Sequence, residues 1–595
     1  MSGNSWLTRL LIWRIRHINN RNFLLILGGI IGIVSGLAAV ILKETVHFIQ
    51  HSLTGFFQFN FSNFLYVAYP LLGILLTAML ARYVLQEKLG HGITNILYII
   101  NKKGSLIERS KMYSRMFTSA LTVGFGGSVG LEAPIVVTGS AIGSNIGRLM
   151  HLNYKKRTLL IGCGAAGAIA AIFNSPIAGV IFAIEVILSE VTIAAFIPLL
   201  IASVTGQLVS LALLGEDVLF SFKLEDPFAT ADTPYYLVLG AICGMVSVYF
   251  SRLMFTIEGW MHQIESHVPR AILGGVALGL IIFVFPPIYG EGYETIKAML
   301  AGEDAALLGR SLFFSELDSK YFLFVFMMGV LLIKPVASAL TLGAGGSGGI
   351  FAPSLFMGAV TGFLVARLAN FIQLAGYVSV ANFTLVGMCG LLSGVLRAPL
   401  TAIFLIAEIT GGYTLFVPLM LVSAIAFSVS NYFERHSFYT KSLVEKGDLI
   451  SHDRDRQVLS LINLDKIVET DLLTIHPNAS VDDLVKLVKT SNRNIFPVVN
   501  ELNELKGIIT LDDVRDVMFD AEKRHKMLIK TIMRSPPAQV SSTESMAAVM
   551  NKFEKTGAWN LPVIDNGCYI GFVSKSRIFN AYRSRLIRQQ KDYIG

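Results

Sequence analysis

A nine-residue pattern, Gly-Gly-Ser-x-Gly-x-x-Ala-Pro, occurs twice inside apolar sequence, at 126–134 and at 345–353, an offset of 219 residues. A glycine run of this kind breaks one helix and opens another. The first N–H groups of the new helix then lack intrahelical partners and point along its axis. Each such end carries the equivalent of roughly half a positive charge, so two of them converging favour an anion without burying a full cation. The pair predicts an anion path.

The sequence around the motifs is 53% hydrophobic and 15% charged over 595 residues, with a mean hydropathy of +0.60. That is too apolar for a soluble chain of this size and predicts an integral membrane protein. Residues 23–42 fit one crossing of a hydrocarbon core, which takes about 20 residues, and 64–80 form a second span. The apolar segments that follow, 93–100, 116–129, 134–146, 159–172 and 176–188, are short or interrupted by glycine, and 196–214 closes the half. Broken helices at membrane depth are tolerated only inside protein or along a cavity, and transporters place them at the binding site. A hydrophilic connection with Glu216 and Asp217 follows.

Residues 6–17 alternate apolar and basic positions, which suits an amphipathic helix over 1–22 lying on the cytoplasmic face. No small-residue cleavage site precedes the first span, so the segment is not read as a signal peptide. Arg14, Arg16 and Arg21 place the N-terminus in the cytoplasm. Cys163, Cys243, Cys389 and Cys568 are scattered and imply no disulfide framework. The net charge of +8 contains no dense basic run, so it fits a membrane surface better than nucleic acid.

A second apolar half, 235–432, repeats the first in order. Pro176 and Glu185 are nine residues apart, as are Pro399 and Glu408, at an offset of 223. Gly164 and Gly167 precede the first proline as Gly387 and Gly390 precede the second. Two matches at nearly one offset define an internal repeat, and in transporters the repeat interface binds substrate. The spacing leaves open whether the halves are parallel or inverted. Beyond Gly447 the chain turns polar and carries two smaller repeats, Phe496-Pro-Val-Val499 before Gly507 and Leu561-Pro-Val-Ile564 before Gly571. Each reads as strand, turn, strand and helix, preceded by a helix at 478–490 or 545–556. Units this small are marginal alone, so they are expected to pair.

Taken together, Gly130-Leu-Glu-Ala-Pro134, Gly349-Ile-Phe-Ala-Pro353 and Tyr439 within Ser437-Phe-Tyr-Thr440 resemble the CLC family of chloride channels and chloride/proton exchangers. The polar end resembles a tandem pair of CBS domains. This likeness covers nearly the whole chain. It implies an all-α polytopic membrane protein with two inverted repeats of broken helices over 23–447, the halves being about 23–215 and 235–447. A linker at 448–465 and α/β CBS domains at 466–520 and 526–585 would follow. It further implies a homodimer with one anion pathway per protomer and both termini in the cytoplasm; the compact loops suit a bacterial inner membrane.

By resemblance the gating glutamate is Glu132, in the motif of Gly130 and Leu131. A carboxylate at such a helix start can occupy the anion site itself and leave it on protonation. The plainer alternative is a first-turn acid complementing the helix dipole at a wet surface; burial between glycines favours function. Ile350 and Phe351 match the positions whose N–H groups contact the anion, and Tyr439 the one whose hydroxyl does. Without the motif they read as packing and interfacial residues. Glu185 and Glu408 read as structural acids near helix ends.

Two positions depart from the family. Gly90-His-Gly-Ile-Thr94 stands where a serine hydroxyl is expected, so either His91 donates to the anion or it turns away and the backbone of Gly92 and Ile93 lines the path. Val186 stands where exchangers carry a proton-relaying glutamate, which tilts the reading toward a channel. In the CBS pair Thr510 and Asp513 match the nucleotide-contacting pattern, whereas the second repeat has Ser574 and Arg577. Adenine nucleotide (ATP or AMP) and a purely structural pair are both open there. A CBS-regulated divalent-cation transporter would need a cage of oxygen ligands, and a metalloprotease a His-Glu-x-x-His helix; the sequence offers neither. The expectation is passive or proton-coupled chloride transport gated by Glu132, with an antiporter as the alternative, no enzyme activity and no metal.

Overall fold

The computed structural model describes residues 14, 16–55, 65–87, 89–188, 193–215, 228–304, 307, 320–372, 377–446 and 462–594. Most of the expected N-terminal helix, the 216–227 connection and nearly all of the 448–465 linker lie outside these residues. The chain divides into two compact units, 1–449 and 450–595.

The first unit is helical. Its first half contains α1 (Asn20–Gly55), α2 (Leu65–Met79), α3 (Gly92–Lys102), α4 (Ser114–Gly124), α5 (Glu132–Leu149), α6 (Tyr154–Phe173), α7 (Pro176–Phe182) and α8 (Ile193–Leu214). The second half repeats that order as α9 (Thr233–His262), α10 (His267–Val284), α11 (Tyr293–Ala301), α12 (Lys320–Gly343), α13 (Phe351–Ile372), α14 (Val380–Leu396), α15 (Pro399–Ile409) and α16 (Phe416–Phe433), and ends with α17 (Phe438–Glu445). Nine helical stretches among the described residues are long and apolar enough to cross a membrane. The expected first crossing is longer than predicted: α1 runs 36 residues, and no proline interrupts it. At about 1.5 Å per residue it exceeds the hydrocarbon core, so it tilts or projects.

Equivalent helices make equivalent contacts. α5 crosses α6 so closely that a Cβ on Gly164 would lie 1.8 Å from the Gly139 carbonyl oxygen. α13 crosses α14 the same way, with 2.3 Å between a Cβ on Gly387 and the Gly358 oxygen. Such backbone contact admits no side chain, which explains the paired glycines. Where the halves meet, the contacts are reciprocal. Gly130 N–H donates to Gly349 O at 2.9 Å, and Gly349 N–H returns a bond to Gly130 O at 2.8 Å. Glu185 accepts from the N–H groups of Leu400 and Thr401 at the start of α15, while Glu408 accepts from Ile177 and Ala178 at the start of α7. The two acids cap each other's repeat, as their expected structural role requires.

The second unit holds α18 (Val481–Thr490), β1 (Ile495–Val499), β2 (Leu505–Thr510), α19 (Leu511–Val514), α20 (Ala521–Lys526), β3 (Val540–Ser541), α21 (Met546–Thr556), β4 (Asn560–Asp565), β5 (Cys568–Ser574) and α22 (Lys575–Ile594). β1 pairs antiparallel with β2, and β4 pairs antiparallel with β5 and parallel with β3. The first repeat is built on Leu484, Phe496, Val498 and Ile509, the second on Val549, Phe553, Leu561 and Val563. Leu472, Val499, Ile508, Tyr569 and Phe572 form one cluster joining them, so each repeat covers the other's apolar face.

Candidate functional site

The two glycine motifs meet at the centre of the membrane unit. Gly126 and Gly345 adopt φ of 92° and 106°, and each turns the chain out of the preceding helix. Ser128 N–H then donates to Thr341 Oγ1 at 3.2 Å, and Ser347 N–H to Thr122 Oγ1 at 2.9 Å, so each motif is held by the opposite half. The Gly130/Gly349 bridge fixes the starts of α5 and α13 side by side. The predicted helix ends therefore converge, with Ile350 and Phe351 buried at the head of α13.

Glu132 is the first residue of α5 and is 2% exposed. Its carboxylate folds back over Gly130, where a Cβ would lie 2.0 Å from Oε2 and 2.8 Å from the Ala352 methyl. Oε1 accepts the Tyr293 hydroxyl proton at 2.6 Å. Oε2 is buried with no hydrogen-bond partner among the described residues. The carboxylate lies against the first turn of α13, whose N–H groups have no intrahelical acceptor, and the Ala352 N–H faces it there.

Tyr439, on α17, is likewise 2% exposed with its hydroxyl unpaired among the described residues. Its carbonyl accepts from Thr94 Oγ1 at 3.0 Å, which ties α17 to the start of α3. Gly92 meets the Glu132 helix there, since a Cβ would lie 2.4 Å from Val137 Cγ2. The fold thus brings the loop of His91 and Gly92 to both Tyr439 and α5. The His91 imidazole, however, turns to the carboxylate of Glu258 on α9, with Nε2 2.8 Å from Oε2, and packs edge-on to Phe438. The His91 ring thus faces Glu258 and Phe438.

Residues that the motifs did not announce complete the surroundings. The loop at 288–293 docks along the first motif, with Gly290 N–H on Gly126 O at 3.2 Å and Ser128 Oγ on Ile288 O at 2.8 Å. It supplies Tyr293 to Glu132 and Glu291 Oε1 to the Leu131 N–H at 3.1 Å. Lys334, fully buried on α12, braces it by donating to the carbonyls of Ile288 and Gly290, both at 3.3 Å.

A family model described as voltage gated chloride channel matches residues 72–431, and a CBS domain model matches 464–520 and 529–584. The chain belongs to the CLC family. It is 28% identical over 485 residues to chloride channel protein CLC-f of Arabidopsis thaliana, which covers 71% of this chain and 60% of the plant protein. It is 25% identical over 435 residues to the H(+)/Cl(-) exchange transporter ClcA of Vibrio parahaemolyticus, covering 70% and 89% respectively. Among solved structures, a slow cyanobacterial Cl−/H+ antiporter superposes with a TM-score of 0.62 at 21% identity, covering 72% of this chain and 98% of that one. A eukaryotic CLC transporter gives 0.61 at 20%, covering 93% and 97%. These likenesses carry the CLC fold, a polytopic helical membrane protein of two inverted repeats followed by a CBS pair.

Val186 of this CLC chain lies half-buried in a π-helical turn, Ala183–Ile187, that continues α7. In the CBS pair Asp513 Oδ2 accepts from the Thr510 N–H and hydroxyl at 2.9 and 2.8 Å, and Oδ1 pairs with Arg534 at 2.5 Å. Ser574 Oγ donates to Glu469 at 2.8 Å and accepts from the Arg577 N–H. Asp513 Oδ1 is buried and makes no hydrogen bond beyond its ion pair with Arg534, so in this arrangement the Arg534 guanidinium stands where a ribose hydroxyl would have to approach that oxygen.

Proposed function

We propose that the chain carries chloride across a membrane, passively or coupled to protons, through a pathway gated by Glu132. The observation that carries this reading is the Glu132 carboxylate, buried at one helix start beside another, with one oxygen on Tyr293 and the other unpaired. An anion entering between Leu131, Ile350, Phe351 and the Tyr439 hydroxyl takes the place of that carboxylate. Protonation removes the competing charge and frees the site. The backbone of Gly130 and Gly92 leaves room for both species, and His91 acts through Glu258 rather than on the anion.

Channel-like conduction is the first reading, because Val186 cannot hold a proton. Exchange is the second, favoured by the His91–Glu258 pair, which places two titratable groups next to the Tyr439 helix. A homodimer in a bacterial inner membrane with cytoplasmic termini completes the proposal. Adenine nucleotide at the CBS pair requires that Arg534 first release Asp513.

The test is chloride and proton flux measured together in proteoliposomes. The wild type is expected to conduct faster as pH falls, and Glu132→Gln to raise flux near neutral pH while losing most of that acid activation. A Glu132→Gln variant with the wild-type rate and pH profile removes Glu132 from the gate. Proton uptake driven by the chloride gradient selects exchange; chloride efflux without it selects a channel.

A further inference from the structure

The internal repeat relates two short loops. Arg115 on α4 and Lys334 on α12 are buried cations 219 residues apart, the same offset as the glycine motifs. Each braces the loop that precedes a short helix. Arg115 Nη1 donates to Gly90 O at 3.3 Å before α3, and Lys334 Nζ donates to Gly290 O at 3.3 Å before α11. Gly90-His91-Gly92 and Gly290-Glu291-Gly292 are thus equivalent, and Glu291 occupies in the second half the position His91 occupies in the first. Their side chains behave differently. His91 turns away to Glu258, whereas Glu291 turns inward and accepts the Leu131 N–H at 3.1 Å.

That N–H belongs to the residue directly before Glu132 and is the kind of donor an anion uses at a helix start. Four hydrogen bonds seat the loop on the first motif, and two of them deliver the side chains of Glu291 and Tyr293 to consecutive residues, 131 and 132. Beside this contact lies the orphaned, buried Oε2 of Glu132. We propose that Glu291 is a second gating carboxylate, which holds the Leu131 N–H that an anion would otherwise take and acts in series with Glu132. The charged and titratable groups that face it are Glu132 on α5, Lys334 on α12, Lys43 on α1 and Tyr293 at the head of α11. With two acids against two lysines, entry of a halide is easiest when at least one acid is protonated. Protonated Glu291 loses its charge and lets the Leu131 N–H turn to the anion.

This inference rests on the chloride reading, and the experiment separates the two. Wild type, Glu132→Gln, Glu291→Gln and the double variant are compared by chloride calorimetry of the full chain in detergent and by chloride efflux across an acid-to-neutral pH series. Glu291→Gln keeps an acceptor oxygen for Leu131 while removing the charge; it is expected to bind chloride at least about tenfold more tightly, since a full charge a few ångströms away is gone. Glu132→Gln should keep a residual acid activation that the double variant lacks. Should the Gln variant not elute as a monodisperse protein, Glu291→Ala, which frees the N–H outright, is expected to show the same gain. If the wild type binds and passes chloride and the Glu291 variants match it in affinity and pH profile, the Glu291 assignment falls alone. If the wild type neither binds nor passes chloride, the chloride reading falls and takes this inference with it.

Discussion

The head of α5 and the head of α13 share a backbone. Each follows a glycine at positive φ, each gives a serine N–H to a threonine of the other half, and the two are joined by reciprocal bonds between Gly130 and Gly349. Their side chains share little. Position 132 is a buried acid bonded to Tyr293, while the matching position, 351, is a phenylalanine packed on Phe173 with ring centroids 5.2 Å apart. The loops beside them diverge as well, one delivering a carboxylate to Leu131 and the other tying α3 to the Tyr439 helix. The architecture is held by the backbone, which is symmetric, and the chemistry by side chains, which are not. One side of this junction carries the carboxylates of Glu132 and Glu291, and the other presents the buried Tyr439 hydroxyl with no partner among the described residues.

If the backbone symmetry is energetic, the largest effects fall equally on both halves. Gly164→Ala and Gly387→Ala each push a methyl into the facing carbonyl, at 1.8 and 2.3 Å, where only backbone could yield. Each is expected to cost about 3 kcal/mol and to lower the thermal unfolding temperature in detergent by similar amounts. A drop confined to one of them would mean that the equivalent crossings do not bear equal load.

Thr122→Val and Thr341→Val probe the exchanged serine bonds with smaller expected losses, and here the halves should separate. Thr122 accepts the Ser347 N–H at 2.9 Å and also contacts Thr77 Oγ1 at 3.0 Å. Thr341 accepts the Ser128 N–H at a longer 3.2 Å. Leaving a buried N–H unpaired costs about 2 kcal/mol in the first case and about 1 kcal/mol in the second. Equal shifts in unfolding temperature would count against the Thr77 contact.

The convergence of the helix ends was legible because glycine and proline at fixed spacing have few conformational uses, and an acid among them has few reasons to be buried. The pairing of Glu185 and Glu408 with helix starts was legible as a role but not as an exchange between halves, since a spacing of nine residues says nothing about which helix start each acid meets. The loop at 288–293 was not legible. A Gly-x-Gly triplet is too common to signal anything, and Glu291 and Tyr293 reach Leu131 and Glu132 only through folding across some 160 residues. The turn of His91 toward Glu258, 167 residues away, was hidden for the same reason. In the CBS pair the strands and helices followed their apolar spacing, but the use of Asp513 by Arg534 depends on a tertiary contact that no local pattern encodes.

The same contrast recurs on a smaller scale in the second unit, where two repeats start equivalent helices with serine. Ser480 caps α18 in a full capping box: its hydroxyl accepts the Asp483 N–H at 3.3 Å, and Asp483 Oδ2 accepts from the Ser480 N–H at 3.2 Å and its hydroxyl at 2.8 Å. Ser545 caps α21 with one bond to the Ala548 N–H at 3.4 Å, and no acid returns it. Ser480→Ala is expected to cost about 1 kcal/mol and Ser545→Ala about half of that. Acid should affect only the first. The Ser480 hydroxyl, then the Lys486 ammonium and the Ser480 N–H, hold the Asp483 carboxyl below the usual carboxylate range. A folded-state value below the unfolded one contributes stability that is present above the unfolded value, near pH 4, and is lost as pH falls through the folded value. Hydrogen exchange of the full chain, corrected for intrinsic rates, should therefore show α18 loosening below about pH 4 while α21 does not. If both helices loosen together, the capping box adds nothing that the simple cap lacks, and the two repeats are equivalent where their sequences say they differ.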